Sequence, residues 1–409
     1  MIKEIKGGVC AAKGFKANGL NAGIKNNVKK DMALIYSEAP CKAAGTFTTN
    51  KVKAAPVKWD QKIVQESERV HAVVVNSGIA NACTGANGYE CCRIMSEKTA
   101  ANLGIPEDSV LVASTGVIGK QLPMDVISAG IDALCGDGAG EDEAHAQLAA
   151  EAIMTTDTKS KQAAVRIEID GAEVTIGGMC KGSGMIHPNM CTMLCFITTD
   201  CAISKALLQK ALSASIEDTF NMISVDGDTS TNDTVLLLAN ALAGNKEITD
   251  EDENYGKFCE ALYCVCEELS KMIAGDGEGC TCLFEVQVKG AVSKSDAKIL
   301  AKSVVTSSLT KAAIYGHDAN WGRILCAMGY SGAEFEPEKV DIYFESSAGK
   351  LKIVENGMAA DYSEEKATEI LSEEHVTAVC DCKQGEYCAA AYGCDLTHEY
   401  VNINADYRS

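Results

Sequence analysis

Lys181–Leu194 reads KGSGMIHPNMCTML, which places two glycines, a proline and an asparagine just ahead of a threonine. Gly182 and Gly184 admit backbone conformations closed to other residues, while Pro188 fixes its own φ and restrains His187. After Thr192 the run MLCFITT is apolar and β-branched enough for a buried strand. A hydroxyl residue therefore stands where a constrained turn meets a rigid strand. That place suits a nucleophile, and it suits cleavage of the Cys191–Thr192 bond, which would free the threonine's α-amine. An N-terminal threonine carries its own base, because an α-amine has a pKa of about 7.7–8.0 and is partly neutral near pH 7. Spacing alone favours the plainer reading, a turn feeding a core strand that begins at Thr192.

Working outward, AAVRIEI and AEVTIG form a hairpin pattern, with Asp170-Gly171 as its two-residue turn. HAVVVNSG (71–78) and VLVASTGVIG (110–119) each read as an apolar strand entering a glycine turn. In the first fifty residues MALIYSE and AAGTFTT read as separate strands joined by turns. Apolar residues at three- and four-residue spacing predict helices over 90–103, 123–135, 141–154, 204–223, 254–274 and 294–310. Strands are expected near 235–240, 282–289, 339–345, 350–354 and 375–380, and Tyr400, Val401 and Ile403 suggest a closing strand. Strands and helices come in runs and not in strict alternation, so the fold class is α+β.

The 409 residues suffice for two core-bearing lobes, and 46% hydrophobic with 23% charged residues is ordinary for a globular protein. A net charge of −20 argues against a nucleic-acid partner, since phosphate binding needs a basic surface. The start, MIKEIKGGVC, has no apolar core of a secretory signal, and no run approaches the ~18 apolar residues of a membrane span. A cytoplasmic location is the expectation. Twenty cysteines are many, but they lack paired CxxC knuckles and Cys–His spacing, so buried small hydrophobes are preferred to zinc ligands or disulfides.

Catalytic motifs of other kinds are absent. No serine sits in GxSxG, and GDGEG (275–279) lacks the GxxxxGK[ST] signature of a phosphate loop. His187 is expected to make a structural hydrogen bond in its turn. Asp226, Asp228 and Asp233 in DGDTSTND resemble a cation loop but lack its Glu at position twelve, and are assigned to loop architecture.

KGSGMIHPNM, a small residue and then TML resemble the processing site of the ornithine acetyltransferase / glutamate N-acetyltransferase family of arginine biosynthesis. NSGIANACTG (76–85), STGVIG (114–119), DGDTSTNDT (226–234), GDGEG, NWGRILCAMG (320–329) and YVNINADY (400–407) resemble family blocks in family order. The resemblance thus spans essentially the whole chain. It implies a layered α/β sandwich related to N-terminal-nucleophile enzymes, self-cleaved into an alpha chain of residues 1–191 and a beta chain of 192–409. Two alpha and two beta chains would form a heterotetramer.

The resemblance also assigns roles. Thr192 is the nucleophile, and Thr115 with Gly116 forms the oxyanion site, a hydroxyl beside a backbone N–H. Substrate contacts fall to Thr155, Lys181, Glu278, Asn404 and the terminal hydroxyl of Ser409, together with Thr192 itself. Lys181 offers a compact cation for a carboxylate, and Glu278, on an exposed glycine-rich turn, a carboxylate for the ammonium of ornithine. Cys191 precedes the cut where very small residues are usual; it is close enough in size for cleavage to survive. Ile79 and Cys282 depart from the family blocks at positions with no assigned catalytic role.

The implied reaction is ping-pong transfer of acetyl from N2-acetylornithine to glutamate. It needs no cofactor or metal, and acetyl-CoA is a further donor in bifunctional members. Two rivals remain open at this level. One is an aminopeptidase or amidase of the same architecture, with water as acceptor. The other is a cysteine-rich metal- or redox-binding protein.

Overall fold

A computed structural model describes residues 1–25, 28–136, 138–187 and 193–406. In chain order its strands are β1 (Lys3–Ile5), β2 (Phe15–Leu20), β3 (Met32–Phe47), β4 (Val70–Ile79), β5 (Val110–Val117), β6 (Lys161–Ile169), β7 (Ala172–Lys181) and β8 (Leu194–Thr199). They continue as β9 (Ile223–Ser224), β10 (Thr234–Ala239), β11 (Leu283–Ala291), β12 (Asp341–Ser346), β13 (Gly349–Glu355), β14 (Met358–Ala359), β15 (His375–Asp381) and β16 (Tyr387–Cys394). Among the described residues two mixed sheets form. The larger runs β1-β6-β7-β8-β10-β3-β4-β5 with β2 on β3, and the smaller runs β14-β13-β12-β15-β11-β16-β9.

The apolar run after Thr192 becomes β8, held between antiparallel β7 and parallel β10. Both of its faces are buried, which is why it shows no polar alternation. Leu194 and Phe196 join a core closed by helices Ala55–Glu66, Gly85–Leu103, Met124–Gly136 and Glu143–Ala152. Cys195 and Ile197 face the opposite core, closed by helices Lys205–Asp218 and Glu253–Ala274. A third core lies between the smaller sheet and helices Lys294–Thr306, Trp321–Gly329 and Glu364–Leu371. The architecture is the layered α+β sandwich expected from the sequence.

The hairpin β6–β7 turns at Asp170 (φ 51°) and Gly171 (φ 76°), the two positive φ values that a type I′ turn requires. Three expectations need correction. MALIYSE and AAGTFTT are one strand, β3, and not two: it pairs with β4 up to Tyr36, shifts register before Cys41, and then pairs with β10. Pro40, which lacks an N–H, falls in that irregular stretch. The helix foreseen over 294–310 breaks at Ser307, whose hydroxyl accepts Thr310 N–H at 3.2 Å and starts the next helix.

The closing segment is the third correction. His398–Asp406 is a helix and not a strand. Thr397 supplies the local reason: its hydroxyl accepts the Tyr400 N–H at 3.3 Å and donates to the Gly279 carbonyl at 2.7 Å. Tyr400 and Ile403 then stand three apart on one side of a helix, a spacing that fits the sequence as well as alternation did.

Candidate active site

The site forms where the ends of β5, β7, β8 and β10 meet the loop after helix Glu253–Ala274 and the C-terminal helix. They enclose a cavity of about 130 Å³. Thr115, Gly116, Thr155, Lys181, Glu278 and Asn404 all line it, as does Met193. Six residues scattered over nearly three hundred positions are thus brought to one cavity. Cys191, Thr192 and Ser409 lie outside the described residues, but Thr192 is covalently joined to Met193 on the wall.

Thr115 and Gly116 sit at the end of β5, where pairing with β4 shifts register around Ile79. Gly116 has φ 129°, and a Cβ there would lie 2.3 Å from the carbonyl carbon of Gly78. Only glycine permits this approach of the two strand ends. Asn232 braces the same place: its amide donates to Ala80 O at 2.6 Å and to Ser114 O at 2.8 Å. The three glycine- and asparagine-rich blocks of the sequence are therefore one structural unit.

Lys181 ends β7, 7% exposed, with its ammonium 3.8 Å from Asp157. Asp157 is more heavily engaged than any sequence cue suggested. Its Oδ1 accepts Lys161 Nζ at 2.7 Å and Gly182 N–H at 2.6 Å, and its Oδ2 accepts Thr155 N–H at 3.0 Å. Burial alone would raise its pKa, but Lys181, Lys161 and these donors hold it well below the ordinary carboxylate range. Lys161 is buried and also donates to Asp276 Oδ2 at 2.5 Å, while Asp276 accepts Thr158 N–H at 3.1 Å. Ser183 closes the frame, donating its hydroxyl to Asp276 O at 2.7 Å and accepting Glu278 N–H at 3.0 Å.

Glu278 corrects the expectation of an exposed turn: it is 8% exposed, and the Gly275–Gly279 loop packs under the C-terminal helix. A Cβ on Gly279 would meet the backbone of Tyr400 at 2.8 Å. Asn404 donates to Glu278 Oε2 at 2.8 Å and to Tyr400 O at 3.0 Å, so this carboxylate is oriented before any ligand arrives.

The DGDTSTND segment divides in two. Asp226 is loop architecture as expected, accepting the N–H groups of Met185 at 2.6 Å, Ile186 at 2.8 Å and Asp228 at 3.2 Å. Asp233 is not: it lines the cavity, so its assignment to loop architecture is corrected. His187 Nδ1 lies 3.1 Å from Ser224 Oγ, the structural contact foreseen, and burial lowers its pKa to about 4. Among the described residues no cluster of three His, Cys, Asp or Glu side chains could hold a metal, and the cysteines are free thiols.

Comparison with known proteins gives one consistent result. A family model described as the ArgJ family matches residues 16–409. The "Arginine biosynthesis bifunctional protein ArgJ 1" of Clostridium acetobutylicum is 54% identical over 97% of this chain and 96% of its own. The "Arginine biosynthesis bifunctional protein ArgJ" of Thermotoga neapolitana is 50% identical over 97% and 99%. Among solved structures, the ornithine acetyltransferase of Mycobacterium tuberculosis complexed with ornithine is 40% identical over 46% of this chain and 99% of that chain, with a TM-score of 0.43.

Proposed function

The chain belongs to the ArgJ family, and from that membership we propose how its site carries out the family's reaction. The protein is an acetyltransferase of arginine biosynthesis acting on small molecules: it moves the acetyl group of N2-acetylornithine to glutamate. The observation that carries the residue-level reading is the single cavity lined by Thr115, Gly116, Thr155, Lys181, Glu278 and Asn404, with Met193 on its wall.

In this reading the Thr192 hydroxyl attacks the acetyl carbonyl while the α-amine of Thr192 takes its proton. The developing oxyanion is held by the Thr115 hydroxyl and the Gly116 N–H, preorganised at the strand end by Asn232. The tetrahedral centre collapses, the C–N bond to ornithine breaks, and the proton held on the α-amine passes to the departing nitrogen. The glutamate amine then attacks the acetyl ester and regenerates the threonine. Lys181 receives the substrate carboxylate, and Glu278 with Asn404 receives the ornithine side-chain ammonium. Thr155 and Ser409 supply neutral hydrogen bonds to the N-acetyl amino acid.

The free amine requires the cut before Thr192, giving fragments 1–191 and 192–409. Acetyl-CoA serves as a second acetyl donor, and no resident cofactor takes part. Two copies of each fragment assemble as a heterotetramer in the cytoplasm; no described helix is long and apolar enough to cross a membrane.

The test combines intact mass with product analysis. Native protein should appear as two fragments, take up one acetyl mass on the 192–409 fragment from N2-acetylornithine, and lose it to glutamate. Thr192→Ala should remain one chain without transfer, whereas Cys191→Ala should still be cut. Processing and transfer in Thr192→Ala, or acetate released equally with and without glutamate, would overturn the reading.

A further inference from the structure

Ornithine brings three ionic groups to a site, and the cavity as read above has partners for two of them. Lys181 faces the carboxylate, and Glu278 with Asn404 faces the side-chain ammonium. The α-nitrogen, which carries the acetyl group, is left without an acceptor. Among the described residues the cavity wall holds one further titratable side chain, Asp233. It is 1% exposed, and its Oδ2 is buried without a hydrogen-bond partner. A buried polar atom left unpaired costs free energy, so an orphan of this kind in a native structure calls for an occupant.

The elements around Asp233 leave that oxygen open. Ser230, on the same loop, bonds the carboxyl through its hydroxyl and its N–H. β3 contributes the Thr48 N–H, which donates to the Asp233 carbonyl at 3.0 Å. The chain entering β8 presents Met193 and Leu194, both apolar, and the end of β5 presents Thr115 and Gly116, both uncharged. Asn232, next to Asp233 in the chain, is occupied: its amide bonds Ala80 O and Ser114 O, and its Oδ1 accepts the Thr231 hydroxyl at 2.7 Å. The charged side chains on the wall are Lys181, which stands against Asp157 at 3.8 Å, and Glu278, which Asn404 bonds. Neither is hydrogen-bonded to Oδ2.

We propose that Asp233 is the binding residue for the substrate's α-nitrogen, with Oδ2 accepting its N–H in N2-acetylornithine and in ornithine alike. The inference rests on the reading of this cavity as the site for those two molecules. In the empty cavity burial outweighs the pull of Lys181 and keeps Asp233 a neutral acid. An amide N–H needs only an acceptor, so N2-acetylornithine binds the neutral form. Free ornithine has an α-ammonium, one positive charge more. Asp233 then gives its proton to solvent and meets the ammonium as a carboxylate. Lys181 with the ligand carboxylate, Glu278 with the side-chain ammonium and Asp233 with the α-ammonium are then three neutral pairs. One side chain thus accommodates a substrate and a product that differ by a unit of charge.

The test compares ornithine with 5-aminovalerate, which has the same carboxylate and terminal ammonium but no α-amine. Both are titrated calorimetrically into native protein at neutral pH, in buffers of different ionisation enthalpy. Ornithine should bind roughly 10–100-fold more tightly, the span of a hydrogen bond to a charged group. Its binding should release a proton to the buffer, and that of 5-aminovalerate should release none. In Asp233→Asn, which keeps an acceptor but no titratable group, the preference should fall roughly tenfold and the proton release should vanish, with 5-aminovalerate bound as in the native protein. Equal native affinity for the two compounds, or ornithine binding without a released proton, would overturn the proposal. So would an Asp233→Asn protein that keeps both the preference and the proton release. Should that variant fail to fold, the native titrations decide alone. Native protein that binds neither compound is a different failure: it overturns the reading of the cavity as an ornithine site, and this inference with it.

Discussion

Lys161→Met tests whether the buried frame behind the cavity is held by charge. The substitution keeps an unbranched side chain of similar length in place and removes the ammonium. Lys161 Nζ lies 2.7 Å from Asp157 and 2.5 Å from Asp276, with side-chain exposures of 2%, 0% and 8% for the three residues. Removing one partner from a buried ion pair costs about 3–5 kcal/mol, because it strands the opposite charge. Here each carboxylate retains other donors, Thr155, Gly182 and Lys181 for one and Thr158 for the other, so the lower end applies. At ~2.1 cal/mol/K per residue, unfolding 409 residues carries an entropy of roughly 0.9 kcal/mol/K, so ~3 kcal/mol lowers Tm by about 3–4 °C.

The control is Lys210→Met, which breaks the exposed pair with Glu251 and should cost at most about 1 kcal/mol, or roughly 1 °C. Both Tm values are read by scanning fluorimetry from pH 3 to 9. The sign follows from the carboxylate. Asp157 titrates below its unfolded value of about 3.9, so its stabilising share is present above that pH and is lost as pH falls through the folded value. Lys161 is raised above about 10.4, so its share is full below that pH and is lost only as pH rises through the folded value. The gap between native and variant should therefore be flat from pH 5 to 9 and narrow below pH 4. A Lys161→Met protein as stable as native at pH 7 would mean the carboxyls are neutral, and the account of the frame would be wrong.

Two further substitutions separate the walls of the cavity. Gly116→Ala forces a Cβ to within 2.3 Å of the Gly78 backbone and should lower kcat by about 10²–10³ with KM little changed, since an oxyanion donor acts mainly in the transition state; initial-rate kinetics would refute this by a rise in KM alone. Gly184→Ala places a Cβ 2.3 Å from a Glu278 carboxylate oxygen, which a flexible side chain can vacate. Its Tm should stay within about 1 °C of native while KM for N2-acetylornithine rises roughly tenfold, the cost of about 1.4 kcal/mol in binding.

The strands of the site were legible because they are marked locally: two positive-φ residues for the β6–β7 turn, an unbroken apolar run for β8, a glycine at the end of β5. Most of the groups gathered by the cavity were legible too, but only through resemblance in long blocks; taken singly, Lys181 or Thr155 would pass for surface residues. Asp157, Lys161 and Asp276 were not legible. A lysine in sequence reads as a solvated cation, and what buries Lys161 is a carboxylate 115 positions away. Asp233 was hidden by its neighbours, since a run of aspartates, serines and threonines looks like a solvated loop until one member is found facing inward. The C-terminal helix failed for a different reason: Tyr400, Val401 and Ile403 satisfy both periods, and the deciding group, Thr397, bonds to a loop far away in sequence.

Fragments 1–191 and 192–409, which the proposed cut would give, would not be separate folding units. In the larger sheet β8 is laddered to β7 of the first fragment, and β10 is laddered to β3 of the first fragment on its other side. The second fragment's two strands are thus inserted between strands of the first, each through a six-residue register. The two inner cores are likewise shared, with Met179 and Leu194 in one and Val165 and Val235 in the other. A cut at the 191–192 bond would leave every one of these contacts in place, because Lys181 and Leu194 are already register partners on adjacent strands. The cavity also draws on both sides: Thr115, Gly116, Thr155 and Lys181 from the first fragment, and Asn232, Asp233, Glu278 and Asn404 from the second. An interleaved sheet of this kind would keep β7, β8, β10 and β3 paired after the proposed cut, so the walls of the cavity would not depend on the 191–192 bond.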